Sequence, residues 1–131
     1  MKLAIITREE TMAKCTGSGC LKACFQRLDA FARYDKETEL ELIAFTHNGG
    51  DIEKKFESLR SKGVDCVHLS SCLRGKDPDY ERLARRCSEY FAVVGYTHGG
   101  ETARSGQKTV VLDPVPKTKE GGECIVDTQE S

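Results

Sequence analysis

Lys2-Leu3-Ala4-Ile5-Ile6-Thr7 is a β-branched, apolar run, and shortly after it comes Lys14-Cys15-Thr16-Gly17-Ser18-Gly19-Cys20, a glycine-rich loop carrying two thiols. Beyond the loop, Leu21, Cys24, Phe25, Leu28, Phe31 and Ala32 fall at i, i+3, i+4, i+7, i+10 and i+11, the spacing of one face of a helix. Strand, loop and helix in that order predict the first unit of an open α/β sheet. In such sheets ligands bind outside the carboxyl ends of the strands and against helix N-termini. The loop from Lys14 to Cys20 therefore marks where the protein is expected to act.

The pattern repeats along the chain. Leu40–Thr46, Asp65–Ser70 and Phe91–Tyr96 read as the second, third and fourth strands, and Thr109–Leu112 as a fifth. Continuous apolar runs of this kind suit strands covered on both faces, as in parallel sheets. Ile52, Phe56 and Leu59 predict a helix with Asp51 as N-cap and Gly63 as its stop. Tyr80, Leu83, Ala84, Cys87 and Phe91 predict another, opened by Asp77-Pro78. Alternating strands and helices give βαβ units. The expected fold is α/β, a three-layer parallel sheet of four or five strands, flavodoxin-like or Rossmann-like, in the order 2-1-3-4(-5). Residues 1–114 form the single expected domain, and 115–131, polar with Gly121-Gly122, a loose tail.

With 20 basic and 21 acidic residues in 131, the chain has no charge excess to suggest binding to nucleic acid or an anionic membrane surface. No apolar run approaches the roughly 18–20 residues of a membrane helix. The first apolar run turns polar too soon for a signal-peptide core. A cytoplasmic protein is expected, so the seven cysteines call for a reason other than a disulfide framework. Cys24 and Cys87 sit on helix stripes and Cys66 inside a strand, where a small buried thiol is the natural reading. His68, mid-strand, reads as a hydrogen-bonded core histidine. Cys124 falls in the tail.

Cys15, Cys20, Cys72, His47 and His98 remain, and all five fall after strands, at the carboxyl edge of a parallel sheet. In the order 2-1-3-4 the loops after strands one, three and four meet at the switch-point crevice, about 4.8 Å separating neighbouring strands. Cys15, Cys20 and Cys72 as thiolates with His98 as imidazole would suit a tetrahedral zinc site. His47 approaches from the far side of strand one and is the weaker candidate.

The same residues resemble the CGGC domain family, small prokaryotic proteins read as metal-binding. The likeness rests on Arg8 and Thr11, Cys15-Thr16-Gly17-Ser18-Gly19-Cys20-Leu21, a glycine pair after strand two, His68-Leu69-Ser70-Ser71-Cys72, and Tyr96-Thr97-His98, spanning residues 2–98. What the resemblance implies is an α/β fold and a zinc-type site. This chain departs from the pattern at three thiols. The naming tetrapeptide reads Asn48-Gly49-Gly50-Asp51, and Glu9 stands where a cysteine usually follows the early arginine. Glu9 and Asp51 are oxygen donors, so a harder or mixed-ligand metal stays open. Asp51 has a competing duty as helix N-cap.

Two rival readings stand beside zinc. Cys15 or Cys20, near a helix N-terminus and Lys14, would serve thiol redox chemistry with Cys72 as the resolving thiol. A small-molecule or anionic ligand in the strand-end crevice would be held by the Gly17–Gly19 amides. A phosphatase loop of the low-molecular-weight tyrosine phosphatase type is excluded, because Leu21 stands where its arginine belongs.

Overall fold

The computed structural model describes residues 1–102 and 109–113. Strands β1 (Lys2–Thr7), β2 (Glu41–His47), β3 (Cys66–Leu69), β4 (Ala92–Val94) and β5 (Val111–Leu112) form one sheet in the order β2-β1-β3-β4-β5. β1 lies parallel to both β2 and β3, and β3 parallel to β4. The expected order holds, with one correction: β5 runs antiparallel to β4. An antiparallel neighbour can be reached without the crossover helix that a parallel one requires. The tail expected from Val115, with Cys124, lies outside the described residues.

Strand alternation distributes the core between two faces. Leu3 and Ile5 of β1 pack with Cys20, Ala23, Cys24 and Phe31 on one face. Ala4 and Ile6 pack with Phe56, Leu59, Ala84 and Phe91 on the other. Helix α3 (Ile52–Ser61) and helix α5 (Tyr80–Cys87) cover this second face. The result is the three-layer arrangement expected of an α/β domain. Asp51 caps α3 as its sequence suggests, its Oδ1 accepting Lys54 N–H at 3.1 Å. Gly63, at φ +78°, ends the α3 turn.

The stripe from Leu21 to Ala32 does not form one helix. Helix α2 spans Ser18–Gln26 and stops where Arg27 takes a left-handed φ of 56°. One turn of 3-10 helix, Asp29–Arg33, follows. The break is held from outside the helix: Arg27 donates to the carbonyls of Asp35 and Thr38. In consequence Phe25 and Leu28, expected on the buried face, are 68% and 41% exposed. Two short helices escape the sequence pattern, α1 (Glu9–Met12) and α4 (Ser71–Lys76). At four and six residues they carry too few turns for a readable period. Asp77-Pro78 does not open α5, which starts at Tyr80. Asp77 Oδ1 accepts Asp79 N–H at 2.8 Å, an Asx turn leading into the helix.

Candidate metal centre

The carboxyl ends of β1, β3 and β4 face the same way because the three strands are parallel. Above them lies a cavity of about 330 Å³ whose lining includes Thr7 at the end of β1, Thr11, Cys15, Cys20, Cys72 and His98. The four residues singled out from the sequence thus share one cavity. His47 does not reach it; its Nδ1 accepts Gly49 N–H at 3.0 Å on the outer side of β1.

Each donor arrives by a different route. Cys20 sits in the first turn of α2, 5% exposed. Gly17, at φ +80°, makes the approach to that helix; a Cβ there would run into the Phe45 ring. Cys15 is exposed, on the loop before α2. Cys72 lies inside α4 and not in a loop at the strand end, because Ser70 Oγ caps that helix by accepting Leu73 N–H at 3.3 Å. His98 follows β4 and lays its imidazole over Gly19, where an added Cβ would meet His98 Cδ2 at 3.3 Å.

Every sulfur has a hydrogen-bonding neighbour. Gly17 N–H donates to Cys15 Sγ at 3.3 Å. Thr97 Oγ1 lies 3.1 Å from Cys20 Sγ, and Ser70 Oγ 2.8 Å from Cys72 Sγ. Such contacts orient metal-binding thiolates and tune their basicity. Burial pushes the Cys20 thiol up, the Thr97 bond draws it back, and Cys72 and Cys15 push it up further.

The loop bearing His98 is gripped by α4. Ser71 Oγ donates to the His98 carbonyl at 2.6 Å and accepts the N–H groups of Thr97 and His98 at 3.3 Å each. Arg74, 8% exposed, donates through Nη1 to the carbonyls of Gly100 and Glu101 and to Thr109 Oγ1. Its guanidinium also stacks 5.2 Å from the Tyr96 ring centroid. Sequence reasoning missed Ser71, Arg74 and Thr97. The adjacency of Ser71 to Cys72 and of Thr97 to His98 was the available signal.

Among the described residues, no group of three or more His, Cys, Asp or Glu side chains is gathered as a metal cluster. The four candidates therefore surround a shared space without closing on it. Three thiols and an imidazole remain a donor set suited in chemistry to zinc.

A model of the CGGC domain matches residues 2–98. The chain belongs to the CGGC domain family. No curated protein and no solved structure matches it. The CGGC family membership suggests metal binding in general. The three positions where this CGGC member lacks a thiol have other work. Asn48 Oδ1 accepts Glu9 N–H at 2.9 Å, and its Nδ2 donates to Asp77 Oδ2 at 2.8 Å. The Glu9 carboxylate packs against Gly49, where a Cβ would collide with it. Asp51 caps α3. These residues fasten the loop after β2 to α1 and to the end of α4, away from the thiol cavity.

Cys24, Cys66, Cys87 and His68 are core residues, as their sequence positions suggest. Cys24, Cys66 and Cys87 are buried and free. His68 is buried beneath Phe31, its Nδ1 3.1 Å from the Tyr96 carbonyl and its Nε2 2.7 Å from Tyr34 Oη. No helix among the described residues is long and apolar enough to cross a membrane.

Proposed function

We propose that this CGGC domain binds a single transition-metal ion of the zinc type, with Cys15, Cys20 and Cys72 as thiolate ligands and His98 as the imidazole. The observation that carries the reading is the shared cavity in which each of three sulfurs meets a hydrogen-bonding neighbour. Closing the site requires the exposed Cys15 loop and the His98 imidazole to move toward Cys20 and Cys72. The latter two are held by α2 and α4 and would change little. We also read the sheet as flavodoxin-like, with the metal in the crevice between the diverging connections of β1 and β3. A reducing, cytoplasmic setting belongs to the same reading, since the proposed ligands are free thiols. Zinc held by all four ligands would be a closed site; with only three of them on the metal, the open position would supply Lewis acidity at the strand ends. The chain's own groups would orient the ligands through Thr97, Ser70 and the Gly17 amide.

Thiol redox chemistry is the second reading. It is favoured by the exposure of Cys15 and the Gly17 N–H aimed at its sulfur. Against it, burial raises the Cys20 thiol, which keeps that group protonated and a poor nucleophile near neutral pH.

The test is metal content per chain, by mass spectrometry on reduced protein purified without chelator or polyhistidine tag. Close to one zinc per chain in the parent, lost in Cys72→Ser and in His98→Ala, supports the metal centre. No metal after anaerobic loading with zinc or iron refutes it. Trapping of a disulfide among Cys15, Cys20 and Cys72 in that metal-free protein would establish the redox reading.

A further inference from the structure

We infer that a second cavity beside the thiols is a subsite for a phosphate monoester, whose phosphate is held by Arg8, Lys14 and Lys76. This cavity, about 560 Å³, is lined by Arg8, Glu10, Thr11, Lys14, Cys15 and Lys76. Thr11 and Cys15 also line the thiol cavity, so the two spaces share a wall. The inference gives a substrate class to the metal site proposed above and rests on that reading for its chemistry. The anion pocket itself rests on the second cavity alone.

The three cations come from three separate places in the fold. Arg8 is the residue before α1, Lys14 lies in the loop before α2, and Lys76 ends α4. Glu10 is the only carboxylate among the six lining residues and forms a long, exposed ion pair with Arg8 Nε at 3.8 Å. The side-chain ammonium groups of Lys14 and Lys76 make no hydrogen bond or ion pair among the described residues, although the Lys14 backbone N–H donates to the Thr11 carbonyl. Arg8 spends Nη1 on Thr11 Oγ1 at 3.1 Å, which holds the guanidinium in place while Nη2 stays without a partner among those residues. Three positive groups against one carboxylate suit a dianion better than a monocarboxylate. A planar guanidinium beside two ammonium groups is a combination that recognises phosphate oxygens.

The sequence points instead to the Gly17–Gly19 amides for anion capture, and the structure weighs against it. Gly17 N–H already donates to Cys15 Sγ, and the His98 ring covers Gly19. The anion site thereby moves to the far side of Cys15. An ester bound there would extend its organic part past Thr11 and Cys15 into the thiol cavity.

The experiment uses the full-length reduced chain at constant ionic strength, both metal-free and loaded with zinc. It is titrated with inorganic phosphate and separately with methyl phosphate, following backbone amide shifts and heat. Saturable shifts confined to residues 8–15 and 76 are expected with both probes. Arg8→Gln/Lys14→Gln/Lys76→Gln should weaken binding at least ~10-fold, since each charge-assisted contact is worth more than a neutral one. Its thermal melt should match the parent, and Lys76→Gln alone should weaken binding in the same direction. Cys72→Ser/His98→Ala should leave phosphate affinity intact, so loss of the metal site and loss of the anion site are read separately. Shifts that do not saturate, or an affinity unchanged in the triple variant, would overturn the site. A methyl phosphate affinity at least ~10-fold below that of inorganic phosphate would overturn the assignment to an ester.

Discussion

Acidifying the protein from pH 7 to pH 4 should remove about 3 kcal/mol of folding stability through His68 alone. Its Nδ1 faces the Tyr96 carbonyl, which can only accept, so Nδ1 carries the proton of the neutral ring. Nε2 is then bare and accepts from the Tyr34 hydroxyl at 2.7 Å. A second proton would have to enter at Nε2, reversing that bond so that Tyr34 Oη accepts and its hydroxyl turns to Cys66 Sγ, and placing a charge under the buried Phe31 ring, whose centroid lies 4.0 Å away. Burial is the main cause that pushes His68 down to about 4, Arg33 adds to it, and the Tyr96 carbonyl opposes it. The unfolded chain takes up this proton near pH 6.5 and the folded chain only near 4. Between those values the unfolded state binds more protons, so the contribution is complete above 6.5 and is lost as the pH falls toward 4. A gap of roughly 2.5 pH units at 1.36 kcal/mol each yields the stated magnitude. Urea unfolding followed by circular dichroism at stepped pH, on the parent and on His68→Gln, measures it. The glutamine amide can face both Tyr34 and Tyr96 but does not titrate, so the stability difference between the two proteins should shrink by that amount across the window. Parallel pH curves for parent and variant would show the reasoning to be wrong. Because the Tyr96 carbonyl adjoins Thr97 and His98, the same acid loss should loosen the thiol cavity.

Four further outcomes are expected. Ser71→Ala removes the hydroxyl that holds the His98 carbonyl and two amides, and should cost about 1–2 kcal/mol. Hydrogen exchange at Thr97 and His98 should quicken with it; an unaltered melt and unaltered exchange would contradict the grip. Gly95→Ala would drive a Cβ into the Tyr80 hydroxyl and the Val110 carbonyl, for a loss of about 1–3 kcal/mol by thermal melting. Thr97→Val strips Cys20 of its side-chain partner, and zinc affinity should fall by about 10–100-fold in a competition titration. In the parent, zinc affinity should tighten as pH rises from 6 to 8, because binding must displace the proton that burial keeps on Cys20. A pH-independent affinity would argue against Cys20 as a ligand.

What was legible in the sequence follows from periodicity. The unbroken apolar run Leu3-Ala4-Ile5-Ile6 announces a strand covered on both faces, and the fold sends those residues alternately into its two cores. Asp51 before an apolar repeat announces a capped helix, and α3 is capped by it. Mid-element cysteines and His68 announce burial. The same logic misread Leu21–Ala32, because a stripe reports which residues would face a core without reporting that Arg27 is held in a left-handed turn by carbonyls at Asp35 and Thr38. It also passed over α4, which depends on one serine cap and carries Cys72, Ser71 and Arg74 together.

By itself, then, the sequence determined the kinds of elements, their order and the edge of the sheet at which Cys15, Cys20, Cys72 and His98 fall. These are properties of short windows, where spacing alone dictates which side chains share a face. Only the tertiary structure decided what surrounds them: Thr97 on Cys20 across 77 residues, Ser71 on His98 across 27, and an antiparallel last strand. It also decided that Arg8, Lys14 and Lys76 share one cavity with Cys15. Contacts of that reach depend on how twisted strands and helices pack in three dimensions, and no local spacing along the chain encodes them.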